Sequence, residues 1–532
     1  MPTATELLRE GKTKELWQKC CGFLDLSMEQ FMTIQHELLL EQIELLKRCE
    51  LGNQVMRGAK PGSVEEFREQ VPITTYADYA PYLLEYREDV LPEKPMLWQR
   101  TSGRSGEYPA KWVPVTRRQY DELKDAFIAI FLFASCQDRG DVILEEHDKI
   151  LYGLAPPPYV SGSYLRGVAD MGVFDILPPI DEAEEMSFEE RIQQGFKMGL
   201  SEGIDILPAI PSVLVAIGER FGQGGGLKRA AAMLTKPKTL PRLLKALVKS
   251  KLARRPMLPK DIWSLKGLIA GGSDNAIYRE KIKDLWGRYP LDAYGSTECV
   301  LIAMQTWDYE GMTFLPQLNF LEFMPQREWD KWLAEPTYEP DLFLLDEVQA
   351  GESYALVSTN LRGGPFVRYF LGDVIKIESL RNERLNIDIP QMMFESRIDG
   401  IIDIAGFARL TEKTVWQALE DSGLAYQDWA VRKEAGETPL LHLYLEPRQG
   451  ARIAEAEAVA AIHEQLKKLD SNYADLEVML GLNPLKVTVL PIGAFQAYIA
   501  KQRAAGADLA RLKPPHVNPS EATIDKLLTP VS

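Results

Sequence analysis

The sequence is poor in the residues that build metal centres and histidine-dependent nucleophile sites. Its 532 residues include five histidines and five cysteines. No histidine stands at zinc-ligand spacing from a cysteine or another histidine, so a zinc site is not expected. The cysteines are odd in number and mostly isolated, which argues against a disulfide framework. The adjacent pair Cys20 and Cys21 is interpreted as part of a buried helix face rather than as a redox site.

Long apolar runs and an excess of positive charge are also missing. No apolar stretch approaches the ~20 residues of a membrane-spanning helix. The N-terminal segment is charged and amphipathic and lacks the apolar region of a secretory signal, so a cytoplasmic location is expected. The formal net charge of −16 argues against nucleic acid as the main partner, because a backbone-binding protein needs a basic face.

Several common catalytic signatures are absent from the chain. It contains no G-x-x-x-x-G-K-[ST] phosphate loop, no G-x-S-x-G nucleophile elbow and no kinase-type catalytic triplet. The usual single-motif routes to phosphoryl transfer, serine hydrolysis and protein phosphorylation are therefore not indicated.

Hydrophobic periodicity predicts an α/β protein with two domains. Most of residues 1–90 show helical spacing, and helices are also predicted over Tyr120–Ser135, Glu182–Gly199 and Pro211–Phe221. From Leu265 the pattern alternates between strands, turns and helices, which indicates a sheet domain with covering helices. Near Arg397 a second alternation begins and predicts a small α+β domain, with helices over Glu412–Asp421 and Glu455–Leu469. We expect the two domains to cover residues 1–395 and 396–532.

One segment differs in charge from the rest of the chain. Residues 228–255 hold ten Lys or Arg and no Asp or Glu, so the remaining chain carries −26. The stretch PRLLKALVKSKLARRP predicts a basic amphipathic helix within an insertion over 222–260. Two interpretations stay open: a solvated helical face, or a dock for an acidic partner such as a carrier protein or for an anionic membrane.

Three short stretches combine glycine, hydroxyl and charged side chains. RTSGRSGEYPAK at 100–111 is either a solvent loop or one whose backbone N–H groups and lysine approach phosphate oxygens. YGSTE at 294–298 offers Glu298 as an oxygen ligand for Mg²⁺, or the start of a helix. RYFLGD at 368–373 places Asp373 where a carboxylate can accept ribose hydroxyls, or where it is an ordinary turn residue.

The order of these stretches is more specific than any one of them. They are followed by RIDGIIDIAGFARL at 397–410 and by a lysine, Lys513, before two prolines. In this order the sequence resembles the acyl-adenylate-forming enzymes, and more closely the GH3 family of acyl acid–amido synthetases. The stretches resemble that family's Ser-Ser-Gly-Thr-Ser, Tyr-x-Ser-Ser-Glu and Tyr-Arg-x-Gly-Asp-Val-Val motifs and its C-terminal Lys-x-Pro-Arg. The resemblance covers about residues 95–520.

The resemblance implies an ATP- and Mg²⁺-dependent ligase with a large N-terminal adenylation domain and a small mobile C-terminal domain. Such an enzyme activates a carboxylic acid as an acyl-adenylate and joins it to an amine, for which an amino acid is expected. Two alternatives are a thiol acceptor, either coenzyme A or a carrier protein, and a non-catalytic nucleotide-binding relative. The sequence does not identify the acid or the amine.

The resemblance also assigns roles to individual residues. Glu298 holds Mg²⁺ and is catalytic together with Lys513, and Asp399 lies at the hinge before the mobile domain. Arg104 occupies a position where the family usually has threonine, and its guanidinium either binds a phosphate or faces solvent. The ATP-binding residues so implied are Thr101, Ser102, Gly103, Arg104, Ser105, Gly295, Ser296, Thr297, Asp373 and Arg397.

The acid substrate is expected to bind in the large domain. Phe131, Tyr159 and Met304 are the candidates to face an aromatic or alkyl acid. For Phe131 and Met304, an ordinary position in the hydrophobic core is an equally good interpretation.

Overall fold

The computed structural model describes residues 2–101, 108, 110–222, 239–270, 275–335, 337–404, 408–434, 440–471, 473–474, 484–504 and 516–529. The chain divides into two compact units. The first comprises Met1–Thr101, Lys111–Leu371 and Ile375–Phe394, and the second comprises Ser102–Ala110, Gly372–Val374 and Glu395–Ser532.

The first unit opens with short helices, as the periodicity of residues 1–90 predicts. Ser27 caps the longest of them, and its side chain accepts a hydrogen bond from the Gln30 backbone N–H in a capping box. Cys20 and Cys21 are buried, which confirms that the pair belongs to an inward helix face. The helices are α1 (Ala4–Arg9), α2 (Thr13–Cys21), α3 (Met28–Leu46), α4 (Glu50–Val55), α5 (Val64–Gln70) and α6 (Tyr76–Leu83).

A β-hairpin follows the helices and frames the Gly/Ser-rich stretch. β1 (Pro95–Arg100) pairs antiparallel with β2 (Trp112–Thr116), and Arg100 lies opposite Trp112 in the register. Thr116 then caps α7 (Arg117–Ser135), whose C-terminal half is buried almost without interruption. The helix predicted over Tyr120–Ser135 is thereby confirmed.

A parallel sheet with the strand order β4-β3-β5-β6 forms one layer of this unit. Its strands are short, apolar and buried, as is usual for parallel strands covered on both faces. Its strands and the helices that connect them are β3 (Lys149–Leu151), α8 (Val160–Asp170), β4 (Asp175–Leu177), α9 (Ile180–Glu185), α10 (Phe188–Glu202), β5 (Ile206–Pro208), α11 (Pro211–Gly222), α12 (Leu240–Leu252), α13 (Pro259–Ile262) and β6 (Gly267–Ile269).

The helix predicted over Glu182–Gly199 is instead two helices, α9 and α10. The break falls at Met186 and Ser187, where the Ser187 side chain accepts from the Glu190 N–H and Glu190 accepts in return from the Ser187 N–H. This capping box satisfies the first N–H groups of α10, so the continuous helix that the periodicity suggests is interrupted.

A seven-stranded sheet with the order β10-β11-β12-β13-β9-β8-β7 forms the other layer. Asn319 of β10 lies opposite Asn360 of β11 in their antiparallel register. The last strand, β13, runs past Phe394 into the second unit. The elements are α14 (Asn275–Trp286), β7 (Ala293–Tyr294), β8 (Ala303–Met304), β9 (Met312–Phe314), β10 (Asn319–Pro325), α15 (Gln326–Ala334), β11 (Ser353–Asn360), β12 (Tyr369–Ser379) and β13 (Gln391–Arg397).

The second unit is an α+β domain with its own hydrophobic core. β16 pairs antiparallel with β17, which pairs parallel with β18, and Trp429, Leu443 and Ile462 lie in the core beneath. Two helices have the predicted bounds: α16 (Glu412–Asp421) and α17 (Glu455–Leu469). The remaining elements are β14 (Ile401–Ile404), β15 (Ala408–Thr411), β16 (Tyr426–Glu434), β17 (Leu440–Pro447), β18 (Leu485–Val489), α18 (Ala494–Ala504) and α19 (Glu521–Leu528).

The architecture confirms the predicted α/β class with a larger N-terminal and a smaller C-terminal part. Among the residues that the structure describes, no helix combines the length and the apolarity needed to cross a membrane.

Candidate active site

The side chains of Lys111, Glu298 and Tyr369 meet in the first unit, and we call them the Glu298 cluster. Lys111 Nζ lies 3.0 Å from Glu298 Oε1 and 2.9 Å from the Tyr369 hydroxyl oxygen. The Tyr369 hydroxyl donates in turn to Glu298 Oε1 over 3.1 Å. Both charged side chains are largely buried, with 15% of Lys111 and 10% of Glu298 exposed. One carboxylate oxygen therefore has two donors, one of them a cation.

The β1–β2 hairpin brings Lys111 to this place. Thr101 and Lys111 close the base of the Gly/Ser-rich stretch: the Thr101 N–H donates to the Lys111 carbonyl and the Lys111 N–H donates to Thr101 Oγ1, each over 3.0 Å. Tyr76 fixes the next residue, since its hydroxyl accepts from the Trp112 N–H. Lys111 is thus held at the start of a strand, and its ammonium also lies 5.4 Å from the centre of the Tyr76 ring.

The turn after β7 presents Glu298. Gly295 has no room for a side chain, because a Cβ there would lie 1.8 Å from the Val300 carbonyl oxygen. Ser296 Oγ accepts from the Cys299 N–H and so caps the turn, as the helix-start interpretation of YGSTE suggests. Val300 has a φ of 63°, a left-handed conformation that costs a β-branched residue free energy. The surroundings of this turn therefore impose a conformation that the chain does not prefer by itself.

Two buried amides of the seven-stranded sheet support the turn from below. Asn360 Nδ2 donates to the Glu298 carbonyl at 3.0 Å and to Asn319 Oδ1 at 3.2 Å. Asn319 Nδ2 donates to the carbonyls of Cys299 and Leu301. Both asparagines are 1% exposed, and no sequence motif indicated a role for either of them. Asn319 is the first residue of β10, and Asn360 is the last residue of β11.

The first residue of RYFLGD anchors the strand that carries Tyr369. Arg368 donates two hydrogen bonds to Glu322, at 2.8 and 3.0 Å, and this ion pair is almost completely buried. Arg368 also donates to the carbonyls of Arg68 and Val71. Such a bidentate pair fixes orientation as well as distance, so Tyr369 enters the Glu298 cluster from a rigid position.

The electrostatics of the cluster keep Tyr369 protonated. Burial, followed by the adjacent Glu298 carboxylate, raises the pKa of the Tyr369 hydroxyl well above its ordinary value of 10. The hydroxyl is therefore a permanent hydrogen-bond donor at neutral pH. The cluster as a whole pairs a carboxylate with an ammonium and a neutral donor.

Asp373 and Arg397 meet in the second unit. Arg397 Nε lies 3.3 Å from Asp373 Oδ1, and 12% of the Asp373 side chain is exposed compared with 42% for Arg397. Gly372 immediately before Asp373 has a φ of 75°, which glycine adopts at little cost. The structure thus brings together two of the predicted ATP-binding residues, Asp373 within β12 and Arg397 at the end of the neighbouring strand β13.

The three candidate substrate residues fall into two groups. Tyr159 is partly exposed, and its hydroxyl accepts from Arg100 Nη2 at 2.8 Å. Phe131 is 3% exposed and packs edge-on against Phe174, with ring centres 5.8 Å apart. Met304 is fully buried and pairs with Ala293 and Thr313 in the sheet. Phe131 and Met304 thus have the environment of core residues.

Several predicted site residues lie outside the described residues. They are Ser102, Gly103, Arg104, Ser105 and Lys513. Thr297 lies in the turn and is partly exposed, and Gly295 is exposed. Asp399 lies in a short 3₁₀ helix, Ile398–Gly400, directly after β13.

The described residues could bind a magnesium ion only if phosphate oxygens supplied some of its ligands. Among the described residues there is no group of three or more His, Cys, Asp or Glu side chains that could hold a metal. Mg²⁺ is commonly bound by one or two carboxylates together with substrate phosphates, and Glu298 supplies one such carboxylate. The donor set therefore agrees with a metal held between Glu298 and phosphate oxygens.

The fold is similar to those of enzymes whose structures have been solved. Among solved structures it is similar to an acyl acid amido synthetase, AtGH3.15, in complex with 2,4-DB, with a TM-score of 0.67 and 17% identity over 96% of this chain and 95% of that one. It is also similar to a 2-hydroxyisobutyryl-CoA ligase in the postadenylation state, with a TM-score of 0.60 and 14% identity over 94% of this chain and 91% of that one. At these identities the likeness concerns the fold.

The family models are more specific. Residues 20–143 match the GH3 family N-terminal domain, and residues 312–397 match the GH3 family central domain. The chain therefore matches the GH3 family models over these two stretches. Among curated proteins it is similar to a 4-substituted benzoates–glutamate ligase of Arabidopsis thaliana, GH3.12, with 25% identity over 234 residues. That alignment covers 41% of this chain and 38% of the relative, so it spans about two fifths of the relative's length.

Proposed function

We propose that this chain is an ATP-dependent ligase that activates a carboxylic acid as an acyl-adenylate and transfers the acyl group to an amino acid. The observation that carries the proposal is the Glu298 cluster, in which a buried carboxylate, a lysine and a neutral donor converge. Lys111 and Tyr369 lie in the two stretches that match the GH3 family models. The relative's name, which specifies a benzoate acid and glutamate, supports an aromatic or related acid and an amino acid acceptor.

The chemistry explains why such a cluster is useful. In the first step the substrate carboxylate oxygen attacks the α-phosphorus of ATP, and pyrophosphate leaves with the electron pair of the broken P–O bond. Two anions must approach each other, so fixed positive charge and donors at the phosphate oxygens lower the barrier. Lys111, which the hairpin holds beside Glu298, would supply such a positive charge, and the Tyr369 hydroxyl donates to the Glu298 carboxylate and orients it. Mg²⁺ at Glu298 would neutralise charge on the phosphates when bound.

We assign the other predicted residues within the same proposal. Asp373 would accept the ribose hydroxyls with Arg397 beside it, and Thr101 with the Gly/Ser-rich stretch up to Ser105 would contact the phosphates. Gly295, Ser296 and Thr297 would line the adenine and α-phosphate. Lys513 would reach the reacting carboxylate. Residues 1–395 would form the adenylation domain and 396–532 a mobile domain that excludes water from the acyl-adenylate, with Asp399 at the hinge.

The second step decides the acceptor. The amine of an amino acid attacks the acyl carbon, an amide bond forms, and AMP leaves. The relatives described above give no support to a carrier protein, and none is proposed. Coenzyme A as acceptor is the competing outcome, because the same fold occurs in a CoA ligase.

ATP–pyrophosphate exchange across a panel of aromatic and alkyl acids tests the first step. At least one acid is expected to support exchange far above the acid-free background. ATP binding without exchange for any acid would make the chain a nucleotide-binding relative instead. Mass spectrometry of the products with amino acids or coenzyme A then tests the second step, and a thioester without amide would contradict the proposed acceptor.

A further inference from the structure

Helix α12 carries an exposed apolar ridge, formed by Leu244, Val248 and Leu252. Their residues are 51%, 57% and 79% exposed, and Leu252 has the highest value among the large apolar residues that the structure describes. The spacing of four residues places all three along one side of the helix. Isolated apolar residues on a surface are ordinary, but an aligned set on one helix face marks a surface for interaction.

The ridge is bordered by cations. Lys245, Lys249, Lys251 and Arg254 are exposed, and no acidic residue occurs between 240 and 255. Within the described part of the chain, none of these four forms a salt bridge. The helix therefore presents apolar side chains with free positive charge on both sides.

The two other arginines of this segment face inward and have structural partners. Arg242 donates to the carbonyls of Gly199 and Leu200, and Arg255 forms two hydrogen bonds with Asp261 at 2.7 and 2.9 Å. The inner face of α12 is packed, with Leu243 2% and Ala246 0% exposed in the core that contains Trp263. The ridge thus belongs to a helix that is already formed and fixed.

We propose that this ridge docks the protein on an anionic lipid surface. Interfacial helices combine an apolar face, which enters the boundary between headgroups and acyl chains, with lysines and arginines that remain at the headgroups. Anionic leaflets attract such clusters of basic residues. The rest of the chain carries −26 once residues 228–255 are set aside, so an anionic leaflet attracts this segment while the net charge of the remainder opposes binding.

An acidic protein partner is less well matched by the same features. The three apolar side chains project from a convex helix rather than line a groove, and a fluid interface accepts a convex ridge without matching its shape. The proposal is independent of the ligase activity, because none of these residues belongs to the Glu298 cluster.

The test is flotation of the full-length protein with vesicles of phosphatidylcholine alone or of phosphatidylcholine mixed with phosphatidylserine, an anionic lipid that gives cytoplasmic leaflets their negative surface potential. Binding is expected only to the anionic vesicles and should weaken strongly as salt is raised. Leu244→Ser with Val248→Ser and Leu252→Ser should reduce binding by about tenfold or more, as should Lys245→Glu with Lys249→Glu. A matched control, Leu333→Ser with Leu380→Ser, alters two other residues that are each 50% exposed and should bind like the parent.

Other results overturn the proposal. One is that the protein binds neutral vesicles as well as anionic ones, and another is that it binds neither. A third is that the ridge variant, with an unchanged thermal midpoint, binds anionic vesicles as strongly as the parent does. If the parent sediments as a dimer and the ridge variant as a monomer, without vesicle binding, the ridge is a contact between copies of this chain. Retained ATP–pyrophosphate exchange in the variants separates failure of this proposal from failure of the proposed function.

Discussion

Glu298 illustrates how a charged side chain can be kept nearly buried. Its Oε1 accepts from Lys111 and from the Tyr369 hydroxyl, and its backbone carbonyl accepts from Asn360. A buried carboxylate without partners would cost several kcal/mol, and these donors offset that cost. The arrangement holds the carboxylate in one orientation. A carboxylate that binds a metal together with phosphate must be oriented in this way.

Replacing Glu298 with glutamine tests its charge with little change of shape. The amide oxygen can still accept from Lys111 and Tyr369, but the negative charge is lost. We expect ATP–pyrophosphate exchange to fall by about 10²-fold or more, the scale of losing one electrostatic contributor. Glu145→Gln is the control, because Glu145 also accepts from a lysine, Lys266, but its side chain is 76% exposed. Equal exchange in both variants would remove Glu298 from the site.

Tyr369 gives a pH-dependent prediction. Because burial raises the pKa of its hydroxyl in the folded chain, the folded state keeps this proton where the unfolded chain, with a pKa near 10, releases it. Its contribution to stability is therefore fully present below about pH 10 and declines as the pH rises further. We expect the parent to be more stable than Tyr369→Phe by about 1 kcal/mol at pH 8. Urea unfolding should show that this difference shrinks above pH 10, and a constant difference up to pH 11 would contradict the assignment.

At the scale of elements, the turn after β7 depends on its neighbours more than on its own sequence. Gly295 leaves space for the Val300 carbonyl, Ser296 caps the turn, and Asn319 and Asn360 hold its carbonyls from the sheet below. Three separate strands thus position one carboxylate. A change in any of them should displace Glu298 without removing it.

Gly295→Ala isolates this effect. The added Cβ would lie 1.8 Å from the Val300 oxygen, so the turn must move, at a cost of about 1–3 kcal/mol. We expect a lower thermal midpoint and a loss of exchange of more than about tenfold, since misplaced groups lose catalytic effect steeply. In the control Gly62→Ala, the nearest atom is 3.5 Å away, and both quantities should stay near those of the parent. Parental behaviour of Gly295→Ala would show that the turn is not rigid.

At the scale of the whole molecule, the net charge does not indicate which ligand the protein binds. The chain carries −16, yet the polyanion that we propose it binds is ATP, for which a few cations and backbone groups suffice. The second unit has its own core and sheet, and its sequence contains Lys513. We propose a division of roles in which Glu298, Asp373 and the Gly/Ser-rich stretch bind ATP and Lys513 acts on the reacting groups.

Lys513→Ala tests this division. ATP should still stabilise the variant, by up to about 2.7 kcal/mol at a hundredfold excess over its Kd, and this is read from the shift in thermal midpoint. Exchange should fall by about 10²–10³-fold, because the lysine would act only on the reacting groups. Lys501→Ala, which changes an exposed lysine of α18, should keep both properties. A variant that loses ATP stabilisation as well would move Lys513 from catalysis to nucleotide binding.

The elements with clear periodicity were predictable from the sequence. The bounds of α16 and α17 agree with the prediction, because an amphipathic stripe is a property of residues close together in the sequence. The break between α9 and α10 was missed, since the capping box at Ser187 competes with an otherwise continuous pattern. β16 and α15 were also missed, although their boundaries contain ordinary strand and helix signals.

The sequence alone was enough to predict the α/β class, and the order of its motifs indicated the family. Its few histidines and cysteines also led us to expect neither histidine-based nor zinc-based chemistry. It could not determine that Lys111 lies on Glu298, because the two residues are 187 positions apart, or that Tyr369 joins them from 71 positions away. Nor could it show that Asn319 and Asn360 hold the turn, or that α12 turns Leu244, Val248 and Leu252 outward. Such contacts depend on strand register and on which helix face the core covers, and tertiary packing alone decides both.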